Sequence, residues 1–413
     1  MQVISPWEVA RRDEVPSSEP AQTGFSGRRW RLFWMSLRLG FLTILTLGFY
    51  RFWMKTRLRR WYWSSWRPGG YPLEYVGDPW EKLLGFLIAV VFLAFYIGIV
   101  NLLLMFASFS LFNGNVAAYV LSFLGVIPLW FYARYRARRY VLARTRWRGV
   151  RFGLEPGAWG YAILALWHWF LTLITLGFLW PRKAFYLEKY ITDRTFFGSQ
   201  RLSQSGDWKT LIRPFLGVWL PFIALAASGV AMFVYESDGA ALALGISAII
   251  APFWALLGLV NYNVKRLRFL TSHKSAGDAR LAMAPRFWKV TGVYFWGYAL
   301  AGLVGSIIMT PVVIGAILII ESDGMIKMAG ERATIEDLSQ PVLTAIGVGF
   351  YFLLFLMWSV LMHAFIRYPL MRHFASTLTI THLDQLGTVP QRPRDEFGEA
   401  EGFAEALDVG AAI

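Results

Sequence analysis

The sequence predicts an all-α polytopic membrane protein: three transmembrane helical hairpins plus two re-entrant or interfacial helical units, with short cytoplasmic β-hairpin elements. Three observations carry this expectation. Apolar and aromatic residues make up 56% of the 413 residues and charged residues only 16%, short of the roughly 25% that a soluble domain carries. The apolar residues gather in runs close to the roughly 20 that cross a bilayer as a helix. The connections between those runs sort into strongly basic ones and neutral or acidic ones, as the positive-inside bias requires. Soluble, disordered and fibrous classes are thereby excluded. The chain has no Cys, which also removes a disulfide scaffold, thiolate catalysis and Cys-bound zinc.

Residues 1–27 are polar, contain Pro6, Pro16 and Pro20, and lack an apolar signal core; they are expected to be a disordered N-terminal tail. A first repeat is expected over 28–157 and a second over 158–289, followed by a third hairpin over 290–390 and a C-terminal tail over 391–413. Six runs are long enough to span: Leu83–Phe112, Val116–Ala133, Phe215–Tyr235, Ala240–Tyr262, Val290–Ile320 and Val342–Phe365.

Two further apolar runs, Trp30–Tyr50 and Ala158–Trp180, are flanked by basic residues on both sides. Lys and Arg number six in 54–82, eight in 133–157, seven in 181–214, seven in 263–289 and four in 366–394. The connections at Asn113–Asn115, Glu236–Gly239 and Glu321–Gln340 are poor in positive charge. If Ala158–Trp180 crossed the bilayer, every later connection would invert and the acidic ones would face the cytoplasm, against the bias. The run is therefore expected to enter from the cytoplasm and turn back. The same holds for Trp30–Tyr50, which carries Arg38. Both contain one phrase, Leu45-Thr46-Leu47-Gly48-Phe49 and Ile174-Thr175-Leu176-Gly177-Phe178. A Gly ending an apolar run is the usual left-handed helix stop, so Gly48 and Gly177 are the expected turning points.

A five-fold pattern follows the inward-ending runs. An aromatic and basic stretch leads into a short β-prone piece around a turn, starting near Tyr62, Tyr140, Tyr190, Phe269 and Phe374. The spacing predicts short hairpins. The tetrapeptides Glu236-Ser-Asp-Gly and Glu321-Ser-Asp-Gly are identical and suggest that the outer loops repeat as well.

The stretch Thr46-Leu-Gly-Phe-Tyr-Arg-Phe-Trp-Met-Lys-Thr-Arg-Leu-Arg-Arg-Trp-Tyr, followed by Leu73-Glu-Tyr-Val-Gly-Asp-Pro, resembles the opening block of the YjgN-like bacterial inner-membrane proteins. The Thr145-Arg-Trp-Arg-Gly-Val-Arg-Phe block and the Gly402-Phe-Ala-Glu-Ala-Leu-Asp-Val-Gly ending are similar too. The resemblance covers the chain from about Phe25 onward. It implies a multi-pass inner-membrane protein carrying a domain of unknown function, and it supplies no catalytic residues.

No enzyme is expected. Walker-type loops and nucleophile elbows are absent, and His168, His273, His363, His373 and His382 do not have zinc-helix spacing. No metal site and no cofactor is therefore expected. His168, between Trp167 and Trp169, reads as part of an aromatic interface belt. The clear spans hold no Asp or Glu, which argues against a proton pump. The strongest constellation is three basic-aromatic inner ends: Lys55, Arg57, Arg59 and Arg60; Arg134, Arg136, Arg138 and Arg139; and Lys265, Arg266 and Arg268. Such clusters attract anionic headgroups at about 1 kcal/mol per charge. The expected partners are membrane lipids with anionic headgroups and a possible protein partner; nucleic acid is not expected. Two functional readings follow. One is a transport-like or channel-like protein for a small solute. The other is a non-transporting scaffold or anionic-lipid-binding factor that docks a cytoplasmic partner. Both place the chain in the bacterial inner membrane with both termini cytoplasmic.

Overall fold

A computed structural model describes residues 20–111, 117–327 and 340–392. Among these the chain is an alternation of strands and helix pairs. It runs β1 (Ala21–Phe25), α1 (Arg29–Leu45), α2 (Arg51–Ser65), β2 (Trp66–Pro68), β3 (Leu73–Tyr75), α3 (Pro79–Leu111), α4 (Ala117–Ala143), β4 (Thr145–Trp147) and β5 (Val150–Leu154). It continues through α5 (Ala158–Ile174), α6 (Trp180–Thr192), β6 (Thr195–Phe197), β7 (Gln200–Gln204), a 3-10 turn, α7 (Ile212–Tyr235), α8 (Asp238–Ser272), β8 (Lys274–Ala276) and β9 (Ala279–Met283). The last elements are α9 (Phe287–Lys327), α10 (Gln340–Leu361), a π-helical turn, α11 (Tyr368–Thr377), β10 (Leu378–Thr381) and α12 (Leu383–Gly387).

The expectation of an all-α fold needs correction. The short β elements do not stay separate hairpins; they join into one 10-stranded sheet in the order β2-β1-β10-β9-β8-β7-β6-β5-β4-β3. Every pairing is antiparallel. Each helix pair is inserted between two strands that pair with each other: β1 with β2, β3 with β4, β5 with β6, β7 with β8 and β9 with β10. Each of the five helix pairs thus lies within a strand–helical hairpin–strand unit. The N-terminal tail is the second correction. Residues 21–25 are not disordered but form β1, whose pairing with β10 supplies the partner that the fifth repeat lacks locally.

The sheet curls nearly into a ring. Strands alternate their side chains between two faces, and one face of strands from both ends of the sheet meets in a single apolar cluster. Buried Trp147, Phe197, Ile380 and Leu383 pack there with Ala21, Leu73, Phe152, Leu202 and Leu281. The other face carries Glu74, Arg146, Arg151, Arg201 and Arg280, in register as Glu74↔Arg146 and Arg146↔Arg151. The tight turns have their first residue in the left-handed region: Arg148 at φ 51°, Gly198 at 52° and Gly277 at 63°. Such turns match the twist of the flanking strands. At the helix-to-strand switches, Thr145 Oγ1 donates to Val141 O (2.8 Å) and Thr195 Oγ1 to Ile191 O (2.7 Å), ending the preceding helix.

Among the described residues, five helices are long and apolar enough to cross a membrane, against the six runs expected. They are α3, α7 (with its 3-10 turn), α8, α9 and the stretch from α10 into α11. The helix pairs α1/α2 and α5/α6 are shorter. At 1.5 Å per residue, the 13 residues of α6 reach about 20 Å, short of the roughly 30 Å apolar core of a bilayer. The Asn113–Asn115 connection and residues 328–339 lie outside the described residues. The echo of the two acidic tetrapeptides is not structural. Glu236 takes a left-handed conformation (φ 44°) and Ser237 caps α8, whereas Glu321–Gly324 continue α9 as helix.

The chain divides into two compact units. One holds the sheet and Arg59–Phe287. Its α7 and α8 pack so closely that a Cβ on Gly258 would lie 2.3 Å from Gly217 O, and Ser228 and Ser247 bond across the pair at 2.6 Å. The other comprises Gly27–Leu58 and Trp288–His373. Its core is Ala301, Met357 and Leu361, with Phe33 and Leu37 of α1 packed against them.

Candidate anion site

The basic helix ends separate into charges that bond to named backbone or hydroxyl groups and charges that lie mostly at the surface. Arg59 is buried; it donates to Tyr75 Oη (3.2 Å) and lies over that ring. Arg60 donates to Gly77 O at 2.8 Å, Arg136 to Tyr132 Oη at 3.2 Å and Arg139 Nε to Leu154 O at 3.1 Å. Arg59, Arg60 and Arg139 tie helix ends to the segments that follow, while Arg136 bonds one turn back along its own helix. Lys55 is half-buried and Arg57 is exposed over the Tyr50 ring. Arg134, Arg138, Lys265 and Arg268 are exposed, and Arg266 is half-buried over the Tyr262 ring, 5.7 Å from its centroid.

Sequence reasoning missed the centre of this arrangement. Lys183 of α6 is 5% exposed, with its ammonium 3.4 Å from the Trp169 ring centroid and 3.2 Å from that of Trp180. Trp169 sits near the end of α5 and Trp180 opens α6, so the reversal at Gly177 is what builds the sandwich. Nζ has no hydrogen-bond partner among the described residues. Burial, helped by the charges of Arg134 and Arg266, lowers Lys183 from its ordinary range to about 8. In the sequence, Lys183 looks like any Lys in a basic amphipathic stretch, and only the pairing of α5 with α6 distinguishes it.

Glu188, one turn further along α6, pairs with Lys274 of β8. Burial pushes its carboxyl up, but Lys274, Arg138 and Arg266 outweigh that and hold it at about 2. Arg134 and Arg138 also act on Tyr161 of α5. The group therefore sets Arg134, Arg138, Lys183, Arg266 and Lys274 against the single carboxylate of Glu188. Opposite charges at this spacing stabilise one another, while the excess cations favour an incoming anion. His168 is not a belt residue: it is buried, stacks on Tyr186 at 5.1 Å, and is lowered to about 4 by burial and the neighbouring Arg182 and Lys183.

Gly48 and Gly177 lie in the connections between α1 and α2 and between α5 and α6. Their φ values are 94° and 93°, and the preceding Leu47 and Leu176 are left-handed at 50° and 49°. Gly48 N donates to Thr43 O (2.7 Å) and Gly177 N to Thr172 O (2.6 Å). Thr46 and Thr175 Oγ1 accept from the backbone N–H of Tyr50 and Leu179. The helix stops, and the chain turns back along it: His168 and Tyr161 of α5 meet Tyr186 and Tyr190 of α6. Among the described residues no group of three or more His, Asp or Glu is placed to hold a metal.

Comparison with curated proteins and with solved structures finds no match. The family described as "Bacterial protein of unknown function (DUF898)" matches residues 20–262, from the first residues of the sheet into α8. This is more than half of the chain, and the protein therefore belongs to that bacterial family.

Proposed function

We propose that the protein is a non-transporting scaffold of the bacterial inner membrane that holds anionic phospholipid headgroups at the sheet-side ends of its helices. The observation that carries this reading is the cluster of Arg134, Arg138, Lys183, Arg266 and Lys274 around one carboxylate. Cations near a membrane surface gain about 1 kcal/mol each from anionic lipid. The ring-like sheet, with Arg146, Arg151, Arg201 and Arg280 on its outer face, is the surface that would dock a cytoplasmic partner. Similarity to the YjgN-like proteins supports the inner membrane as the site. Cytoplasmic termini are supported by the basic helix ends and by the placement of both terminal strands, β1 and β10, in the same sheet.

The transport-like reading is the weaker one. Only 11% of the residues in the most apolar windows of α7, α8 and α9 are buried, so these faces suit lipid more than the walls of a path. Ser228 and Ser247 bond to each other across α7 and α8. No catalytic role is assigned.

Two experiments test the proposal. A variant combining Arg57→Gln, Lys265→Gln and Arg268→Gln removes exposed charges without touching a structural bond. Its retention of phosphatidylglycerol in native mass spectrometry should fall at low salt; unchanged retention both here and in Arg134→Gln defeats the lipid reading. Reporter fusions at both termini should read as cytoplasmic, and an exported C-terminus defeats the topology.

A further inference from the structure

Bulk attraction of headgroups needs only exposed charge, and Lys183 is not exposed. Its ammonium has three donors. Two arene faces take up part of its charge, since a cation held against Trp gains from the ring quadrupole. They accept no conventional hydrogen bond. A buried cation without an ion or hydrogen-bond partner is costly. The charges that act on it, Arg134 of α4 and Arg266 of α8, are also cations. Glu188 does not relieve this, because it is engaged by Lys274. A buried hydroxyl lies in the same core. Tyr262 is fully buried, packs with Trp180 and Phe185 in one cluster, and meets the Arg266 guanidinium. Four elements, α4, α5, α6 and α8, thus contribute to a place with surplus positive charge and a buried ammonium that has no hydrogen-bond partner among the described residues.

The geometry points to a phosphate-binding site in which the buried Lys183 ammonium forms the base and the guanidinium groups of Arg134 and Arg266 the rim. The occupant is the phosphate of an anionic phospholipid headgroup or free phosphate. Phosphate suits the donor set because guanidinium groups bind its oxygens in pairs while a Lys ammonium serves as a point charge. A phosphate in contact with Arg266 also lies within reach of the Tyr262 side of the core, where that ring and guanidinium already meet. The inference rests on the lipid-binding reading above and narrows it to one set of side chains.

The test uses the full chain in detergent, titrated separately with phosphatidylglycerol and with inorganic phosphate and followed by native mass spectrometry. The wild type should hold one adduct tightly, above the non-specific distribution. Lys183→Met keeps the aliphatic stem between the two indoles, and Arg134→Gln changes an exposed side chain. Each should weaken that adduct about fivefold to tenfold, since each removes one nearby charge. Lys183→Arg should retain it, and Arg213→Gln, an exposed charge on α7, should leave it unchanged. A phosphatidylglycerol adduct that inorganic phosphate does not displace identifies a lipid headgroup. A phosphate adduct with the same sensitivity to Lys183→Met, displacing the lipid, identifies free phosphate. The absence of a tight adduct, or wild-type affinity in both Lys183→Met and Arg134→Gln, overturns the site. If those two variants bind normally while the Arg57, Lys265 and Arg268 variant loses lipid, the general reading survives and the specific site does not. If none of them changes lipid retention, both fall.

Discussion

The backbone N–H of Arg151, in the β4–β5 hairpin, donates to the side-chain Oε1 of Gln391 at 2.8 Å, across 240 residues of sequence. The neighbouring hairpin is held in the same way: Ser199 N donates to Pro390 O at 2.9 Å, and Arg392 lies over the Phe196 ring. Just upstream, Leu383 is buried in the apolar cluster that the curled sheet encloses. The segment after β10 therefore closes one side of the sheet, filling it with α12 and stitching two of its turns.

This latch predicts an order of stabilities. Leu383→Ala removes a buried aliphatic side chain and should cost about 2–5 kcal/mol. Gln391→Ala removes one hydrogen bond at an exposed position and should cost about 0.5–1.5 kcal/mol. Thermal unfolding of the full chain in detergent should rank them accordingly, with Leu383→Ala the larger loss. Equal midpoints would mean that α12 is not part of the sheet core.

How much of this was legible in the sequence depended on the range of the interaction. The turns at Gly48 and Gly177 were readable because a left-handed stop is a local demand on the backbone, met by a local phrase. The five β-prone pieces were readable for the same reason. Their union into one sheet was not, because strands of three to five residues carry almost no pattern of their own, and partners such as Ala21 and Ile380 lie at opposite ends of the chain. Arg59, Arg136 and Arg139 looked like free charges because nothing in the sequence reports the carbonyl or hydroxyl that each one meets. Lys183 was invisible because its environment is made by Trp169 and Trp180, which only the reversal at Gly177 brings to the same place.

That reversal can be tested by substitution. Gly177 has φ 93°, and a β-branched side chain there must leave the conformation or clash. Gly245, within α8, has ordinary helical geometry and open space around its Cβ position. Gly177→Val should destabilise the protein by about 1–3 kcal/mol, whereas Gly245→Val should be nearly neutral. A comparison of melting midpoints decides it, and equal effects would show that the turn tolerates a right-handed residue.

The α7/α8 contact makes an asymmetric prediction. A Cβ on Gly258 would sit 2.3 Å from Gly217 O and 2.6 Å from its carbonyl carbon, which are backbone atoms with no rotamer to change. A Cβ on Gly217 would meet Gly258 Cα at 3.8 Å, an ordinary van der Waals distance. Small residues let helix backbones approach in membranes, and only one of these two has no room for a methyl group. Gly258→Ala should therefore force the pair apart and lengthen the Ser228–Ser247 bond, while Gly217→Ala should fold and melt like the wild type. Disulfide trapping between Cys residues introduced at 228 and 247 reads the separation. Equal trapping efficiency in the two Gly variants would contradict the close contact.

The pH dependence of stability offers a readout of Lys183 that needs no ligand. Its folded-state value is lowered to about 8 by burial and by Arg134 and Arg266, whereas an unfolded chain releases that proton near pH 10.4. Between these values the unfolded state binds more protons, so stability must rise with pH through this window. Below about pH 8 both states are protonated, and this group's penalty is constant and at its largest. Other Lys and Tyr residues titrate in the same range, so the informative quantity is the difference between wild type and Lys183→Met. The lipid-free wild type should gain stability relative to that variant as pH rises from 8 to 10, and the two should run parallel from pH 6 to 7.5. An anion held beside Lys183 favours the charged form and raises its folded-state value again. Added phosphatidylglycerol should then flatten the wild-type gain and leave Lys183→Met unaffected. Parallel curves over the whole range would show that the ammonium is solvated and that no surplus charge waits at this position.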